Sequence, residues 1–132
     1  MIWQKKKAMM MQSIQAPAEL YPINTDIVAL AKAENNFEYA SISSSTGEYT
    51  TGGSYCACKT FVPVDPSYTY RKNGWRINCI YFYKSDYTYI TYKSYNNTNT
   101  QTLDAFPSSA AYVRFGGFNS QSVSSAKVTR TA

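Results

Sequence analysis

The stretch Asn78–Tyr92, "NCIYFYKSDYTYITY", decides the fold class. Ile80 and Phe82 alternate with Cys79, Tyr81 and Tyr83, which is the two-residue period of a strand with one face in a core. "KSD" turns the chain and "YTYITY" returns as the second arm of a hairpin. On that arm Ile90 is expected to point inward with Thr88 and Tyr92 beside it, leaving Tyr87, Tyr89 and Thr91 on the opposite face. Five of the chain's 13 tyrosines fall on this one hairpin, and Tyr81 and Tyr83 are expected on its outward side.

The flanking segments have the same character. "YASIS", "YCACKTFVPV" and "YTYR" are short runs of aromatic and β-branched residues separated by turn signals. Gly47, Gly52 and Gly53 are read as turn residues, and Pro66 presets a turn in "DPSYTYR". "KNGW" predicts a tight hairpin, because Asn73-Gly74 tolerates the positive φ angles that such a turn needs. Downstream, "SYNNTNTQT" is a polar loop entering a strand. "FPSSAAYVRF" turns at Pro107 and runs into a strand on which Ala111, Val113 and Phe115 oppose Tyr112 and Arg114. "SVSSAKVTRT" closes the series. About eight such strands predict an all-β fold, a jelly-roll-type β-sandwich spanning residues 37–132.

Bulk composition agrees. The 132 residues are 44% hydrophobic and 16% charged, enough apolar material for one core and poor in helix formers. The net charge of +5 raises the question of nucleic acid, but the cations are scattered apart from "QKKK" at 4–7, so no specific nucleic-acid partner is expected. No apolar run is long enough to insert in a membrane. Cys56, Cys58 and Cys79 with no histidine fit no zinc spacing, so they are read as small strand residues, Cys56 and Cys58 sharing a face. No metal or other cofactor is expected. Catalysis is not expected either, since Glu48, Asp65, Asp86 and Asp104 all sit in turns rather than as a pair across a cleft.

Residues 1–36 read differently, as an N-terminal docking arm that is extended or briefly helical. "TDIVALAKAENN" supports a short helix capped by Thr25 or Asp26. In "MIWQKKKAMMMQSIQAPA", Gln12, Ser13 and Gln15 interrupt the apolar run a secretory signal needs. Ile2, Trp3, Met9, Met10 and Met11 are instead candidates for packing into a partner, a use that suits adaptable methionine.

Taken in order, the segments from Tyr39 to Arg130 resemble the carbohydrate-binding-module-like β-sandwich domains of bacteriophage tail, baseplate and fibre proteins. "YASISSSTGEYTTGGSYCACKTFVPVDPSYTY" is similar to that family's opening strands, "CIYFYKSDYTYI" to its central hairpin, and "FPSSAAYVRF" to the strand ending in an arginine. Lys84 stands where the family usually has Asp, and Asp86 where it often has Asn, so no polar or metal contact from that turn is carried over. The resemblance implies a virion structural protein, made in the host bacterial cytoplasm and displayed on the particle by its arm as a homo-oligomer. Alternatives are a host-adsorption module recognising cell-surface polysaccharide and an accessory domain of a bacterial surface protein.

The candidate glycan- or partner-binding residues are Trp75, Arg76, Tyr81, Tyr83, Tyr112 and Arg114. Outward tyrosines can stack on sugar faces, enter a protein interface, or simply pair across strands. Trp75 and Arg76 follow the Asn73-Gly74 turn and are expected at a rim, where Trp75 is either a contact or a core plug. Arg114 can clamp a carboxylate, stack on a ring, or form a salt bridge with Asp65, Asp86 or Asp104.

Overall fold

Among the described residues one helix, α1 (Ile27–Ala33), precedes nine strands: β1 (Phe37–Ile42), β2 (Tyr49–Cys58), β3 (Val62–Pro63), β4 (Tyr70–Lys72), β5 (Ile77–Tyr83), β6 (Tyr89–Tyr95), β7 (Gln101–Thr102), β8 (Tyr112–Gly116) and β9 (Val128–Arg130). The computed structural model from which these elements come describes residues 19–33, 37–95, 97–118 and 125–132. Every strand pairing is antiparallel. One sheet has the order β3-β8-β5-β6, a second β7-β4-β9, and β1-β2 form a hairpin of their own.

The two larger sheets face each other across the main core. Ile80 and Phe82 of β5, Val113 and Phe115 of β8, Tyr70 of β4 and Val128 of β9 all point into it, so the two-residue alternation read from the sequence is the alternation of the fold. Each aliphatic or phenyl side chain sealed there contributes roughly 1.5–3 kcal/mol. Cys56 and Cys58 share this core as free thiols, while Cys79 lies half-buried on the other side of β5.

Residues 19–33 belong to that core as well, so the docking-arm expectation does not hold for them. Tyr21, Ile27, Val28 and Ala31 are buried in it. The Asp26 Oδ1 caps α1 by accepting from Val28 N–H at 3.0 Å, and it also accepts from Val128 N–H at 3.2 Å. Asp26 bridges Thr129 and Asn24 N–H donates to Arg130 O at 2.8 Å, which extends the second sheet by one short irregular edge. Arg130, nearly buried, donates to Tyr21 O at 2.5 Å and pairs with Glu19 at 3.3 Å. Ile2, Trp3, Met9, Met10 and Met11 lie outside the described residues.

Three local expectations are corrected. Asn73-Gly74 makes no hairpin: β4 and β5 lie in different sheets, and neither residue has a positive φ. The dipeptide is a crossover, where the Asn73 side chain is held by Ser125 O at 2.7 Å and Lys127 N–H at 3.1 Å. Gly52 and Gly53 are not in a turn between strands. They sit inside β2 with φ of 105° and 99°, where residues 52–55 bulge out between the pairs Tyr39–Cys56 and Ala40–Thr51. Finally, "YCACKTFVPV" is not one strand but the end of β2 and all of β3.

At the end of β4 the buried Lys72 has no exposed surface at all. Its Nζ donates to the carbonyls of Asn73 at 3.3 Å, Trp75 at 3.4 Å, Asn97 at 3.1 Å and Asn99 at 2.5 Å. One ammonium thus ties the β4–β5 crossover to the loop before β7.

Candidate functional site

The outer face of β5 and β8 carries alternating polar and aromatic side chains, and register sets who meets whom. Tyr81 pairs with Arg114 and Tyr83 with Tyr112, so four of the six residues singled out from the sequence come together. They are not exposed as expected. Tyr81 is 6% and Tyr83 2% accessible, because the β1–β2 hairpin folds over them and builds a second core with Ala40, Ile42 and Ala57. The Tyr83 hydroxyl donates to Gly47 O at 2.7 Å and that of Tyr89 to Ser44 O at 2.7 Å. The hairpin tip is therefore fastened by two phenols. Burial pushes the Tyr83 phenol up, while the neighbouring Arg114 guanidinium pulls it back.

Tyr92 also changes sides. A bulge between Phe82 and Tyr83 lets Tyr81 oppose Tyr92 and Tyr83 oppose Tyr89, so Tyr89 and Tyr92 of β6 share the outer face while Tyr95 enters the main core, and Tyr92, still exposed, leaves the Ile90 side. Its ring lies 6.1 Å from that of Tyr81.

Beyond the hairpin's edge the same face opens into an aromatic platform. Tyr87 and Tyr112 are stacked at 5.0 Å with an interplanar angle of 20°. Phe61, in the segment between β2 and β3, lies 4.7 Å from Tyr87, 6.0 Å from Tyr112 and edge-on to Tyr83 at 4.9 Å. Arg114 forms no ion pair with Asp65, Asp86 or Asp104. Its Cζ sits 3.7 Å from the Phe61 centroid and 5.4 Å from those of Tyr49 and Tyr83, and its Nε donates to Lys59 O at 3.0 Å. A guanidinium tolerates this setting because it is weakly hydrated and attracted to ring faces. Glu38 accepts from the Tyr49 hydroxyl at 2.5 Å at the platform's far end.

Tyr87 is the exposed member, 53% accessible, and its φ of 68° is rare for a bulky side chain. The turn holds it there: Tyr87 N–H donates to Lys84 O at 2.9 Å, and Thr88 N–H donates to Asp86 Oδ1 at 3.0 Å. The adjacent Tyr87 phenol, through a side-chain hydrogen bond, raises the ionisation of the Tyr112 hydroxyl above its usual range. Sequence reading named neither Tyr87 nor Phe61 as a site residue. The signal for Tyr87 was its place after "KSD", where a short hairpin needs a left-handed residue; Phe61 gave none.

Trp75 and Arg76 stand apart. Both are exposed, Trp75 at 48%, but they precede β5 at Ile77 whereas Tyr83 ends it, about 20 Å of strand away. Trp75 is thus a rim residue, not a core plug. The acids are occupied in turns: Asp65 accepts from Ser67 N–H and Oγ–H at 2.9 and 2.7 Å, and Asp104 pairs with Lys93 at 3.2 Å. Hydrogen bonds from Ser67 and Thr88 hold Asp65 and Asp86 below the usual carboxylate range. Among the described residues no cluster of three or more His, Cys, Asp or Glu could hold a metal ion, and no helix is long and apolar enough to cross a membrane.

Compared with family models, with curated proteins and with solved structures, the chain matches none.

Proposed function

We propose that this chain is a phage virion structural protein displaying a carbohydrate-binding-like sandwich, and that the platform of Phe61, Tyr87, Tyr112 and Arg114 is its contact surface. The stacked Tyr87–Tyr112 pair carries the reading. The outer ring is held in a strained backbone conformation and left uncovered by its own chain, whereas Tyr81 and Tyr83 on β5 are sealed. Such a ring offers an apolar face with a polar tip, the combination that suits both sugar C–H faces and protein interfaces. Arg114 supplies a fixed cation beside it. The resemblance in segment order supports the virion setting and presentation as a homo-oligomer.

The second reading, a host-adsorption module for cell-surface polysaccharide, is favoured by the same exposed ring. Tyr87→Ala and Tyr112→Ala particles separate the two. The expected result is contact weakened roughly tenfold, the value of one good aromatic contact, with the sandwich intact by circular dichroism. Poor incorporation into particles would assign the platform to a virion neighbour; normal incorporation with lost adsorption would assign it to a polysaccharide. If neither changes, the platform is not a contact surface.

A further inference from the structure

The opposite outer face of the sandwich holds a cavity of about 360 Å³. It lies on the sheet β7-β4-β9, away from the aromatic platform, and is lined by Asn24, Arg71, Thr100, Lys127, Thr129 and Thr131. The lining follows from strand alternation. Tyr70 and Lys72 of β4 point inward, so Arg71 points out, directly opposite Thr129. On the neighbouring strand Lys127, Thr129 and Thr131 alternate with the buried Val128 and Arg130.

Charge makes this cavity unusual. Arg71 and Lys127 are unpaired with any carboxylate among the described residues, whose ion pairs are Lys93–Asp104 and Arg130–Glu19. No acid lines the cavity. Asp26, which reaches this region through its bridge to Thr129, spends its Oδ1 on the Val28 and Val128 amides. The buried Lys72 lies in the wall with four carbonyl dipoles around its ammonium, adding a third positive charge behind the surface.

The frame is rigid. Asn73 locks the start of β9 through Ser125 O and Lys127 N–H. Asn24, in a left-handed conformation with φ of 75°, is held against Arg130 O at the other rim.

We propose that this groove is a second ligand site, for an anionic saccharide: a sugar unit bearing a carboxylate or phosphate. The Arg71 guanidinium offers the fork that matches either anion, and Lys127 adds a point charge. Threonine hydroxyls and the Asn24 amide suit the sugar's own hydroxyls. The volume falls at the small end of the roughly 300–1,000 Å³ range of small-molecule sites, room for one or two rings. The proposal stands independently of the platform, which lies on the other sheet.

Nitrogen-edited NMR titration of the full chain tests it, with galacturonate, glucose phosphate, neutral galactose and inorganic phosphate as probes. Galacturonate and glucose phosphate should shift the amides of Arg71, Lys127, Thr129 and Thr131, and Arg71→Gln with Lys127→Gln should weaken that binding by tenfold or more. Tyr87→Ala should leave it unchanged, so loss of the platform and loss of the groove are read separately. Equal shifts from galactose, binding that survives the double substitution, or inorganic phosphate binding as tightly as the sugars would overturn saccharide recognition. A short oligonucleotide shifting the same amides while the sugars do not would overturn it in favour of nucleic acid.

Discussion

Tyr83 shows what one phenol does here. Its ring fills the second core beside Phe61 and Tyr89, and its hydroxyl reaches the Gly47 carbonyl. Tyr83→Phe keeps the ring and leaves that buried carbonyl without its donor, so it should cost about 1–2 kcal/mol in urea unfolding with an unchanged slope. A cost near zero would mean that the hydroxyl does not fasten the hairpin. The pattern of alternation told the side on which Tyr83 lies but not its cover, because a two-residue period separates two faces without saying what packs on either. Arg114 was left open between ring and carboxylate for a related reason. A planar cation suits either partner, and the rings were chosen by Phe61, which is distant in sequence.

The β1–β2 hairpin is the element that converts an open tyrosine face into a core. It stays closed through its turn, where Gly47 has φ of 70° and an added Cβ would fall 2.5 Å from the Tyr89 ring. Gly47→Ala combines a left-handed penalty with a clash against the rigid base of a side chain. It should destabilise by about 1–3 kcal/mol and raise amide exchange in β1 and β2 above that in β5 and β8. Uniform exchange changes would show that the hairpin is not a separate cover. Regular strands such as β5 and β8 were legible because Ile80, Phe82, Val113 and Phe115 repeat cleanly. Bulges were not: one extra residue near Ile90 moved Tyr92 to the other face, and no propensity marks such a site. Asn73-Gly74 misled because the dipeptide permits a tight turn without demanding one, and pairing of β4 with β9 decided otherwise.

For the molecule as a whole, burial of phenols sets the alkaline limit of stability. Desolvation pushes Tyr21, Tyr70, Tyr89 and Tyr95 from the usual 10 up to about 12. Between those values the unfolded chain has released protons that the folded chain keeps, so the stability is full below pH 10 and is lost as pH rises towards 12. Lys72 works the other way, since burial lowers its pKa and deprotonation relieves the cost of its charge. Four phenols outweigh it. Near-ultraviolet circular dichroism should therefore collapse cooperatively in that window, and gradual phenol ionisation with the signal retained would contradict the packing. The sandwich as a class was readable from the spacing of its strands, yet its first boundary was not. Tyr21, Ile27 and Val28 enter the core from irregular chain and a helix of about two turns, where no strand period announces them. The Lys72 ammonium, ringed by four carbonyl oxygens, resembles in its surroundings the calcium ions that knit loops together in many surface proteins. Being covalently tethered, this cation cannot be stripped by a chelator or depleted by dilution, so this end of the sandwich keeps its loop clamp whatever the ionic composition outside.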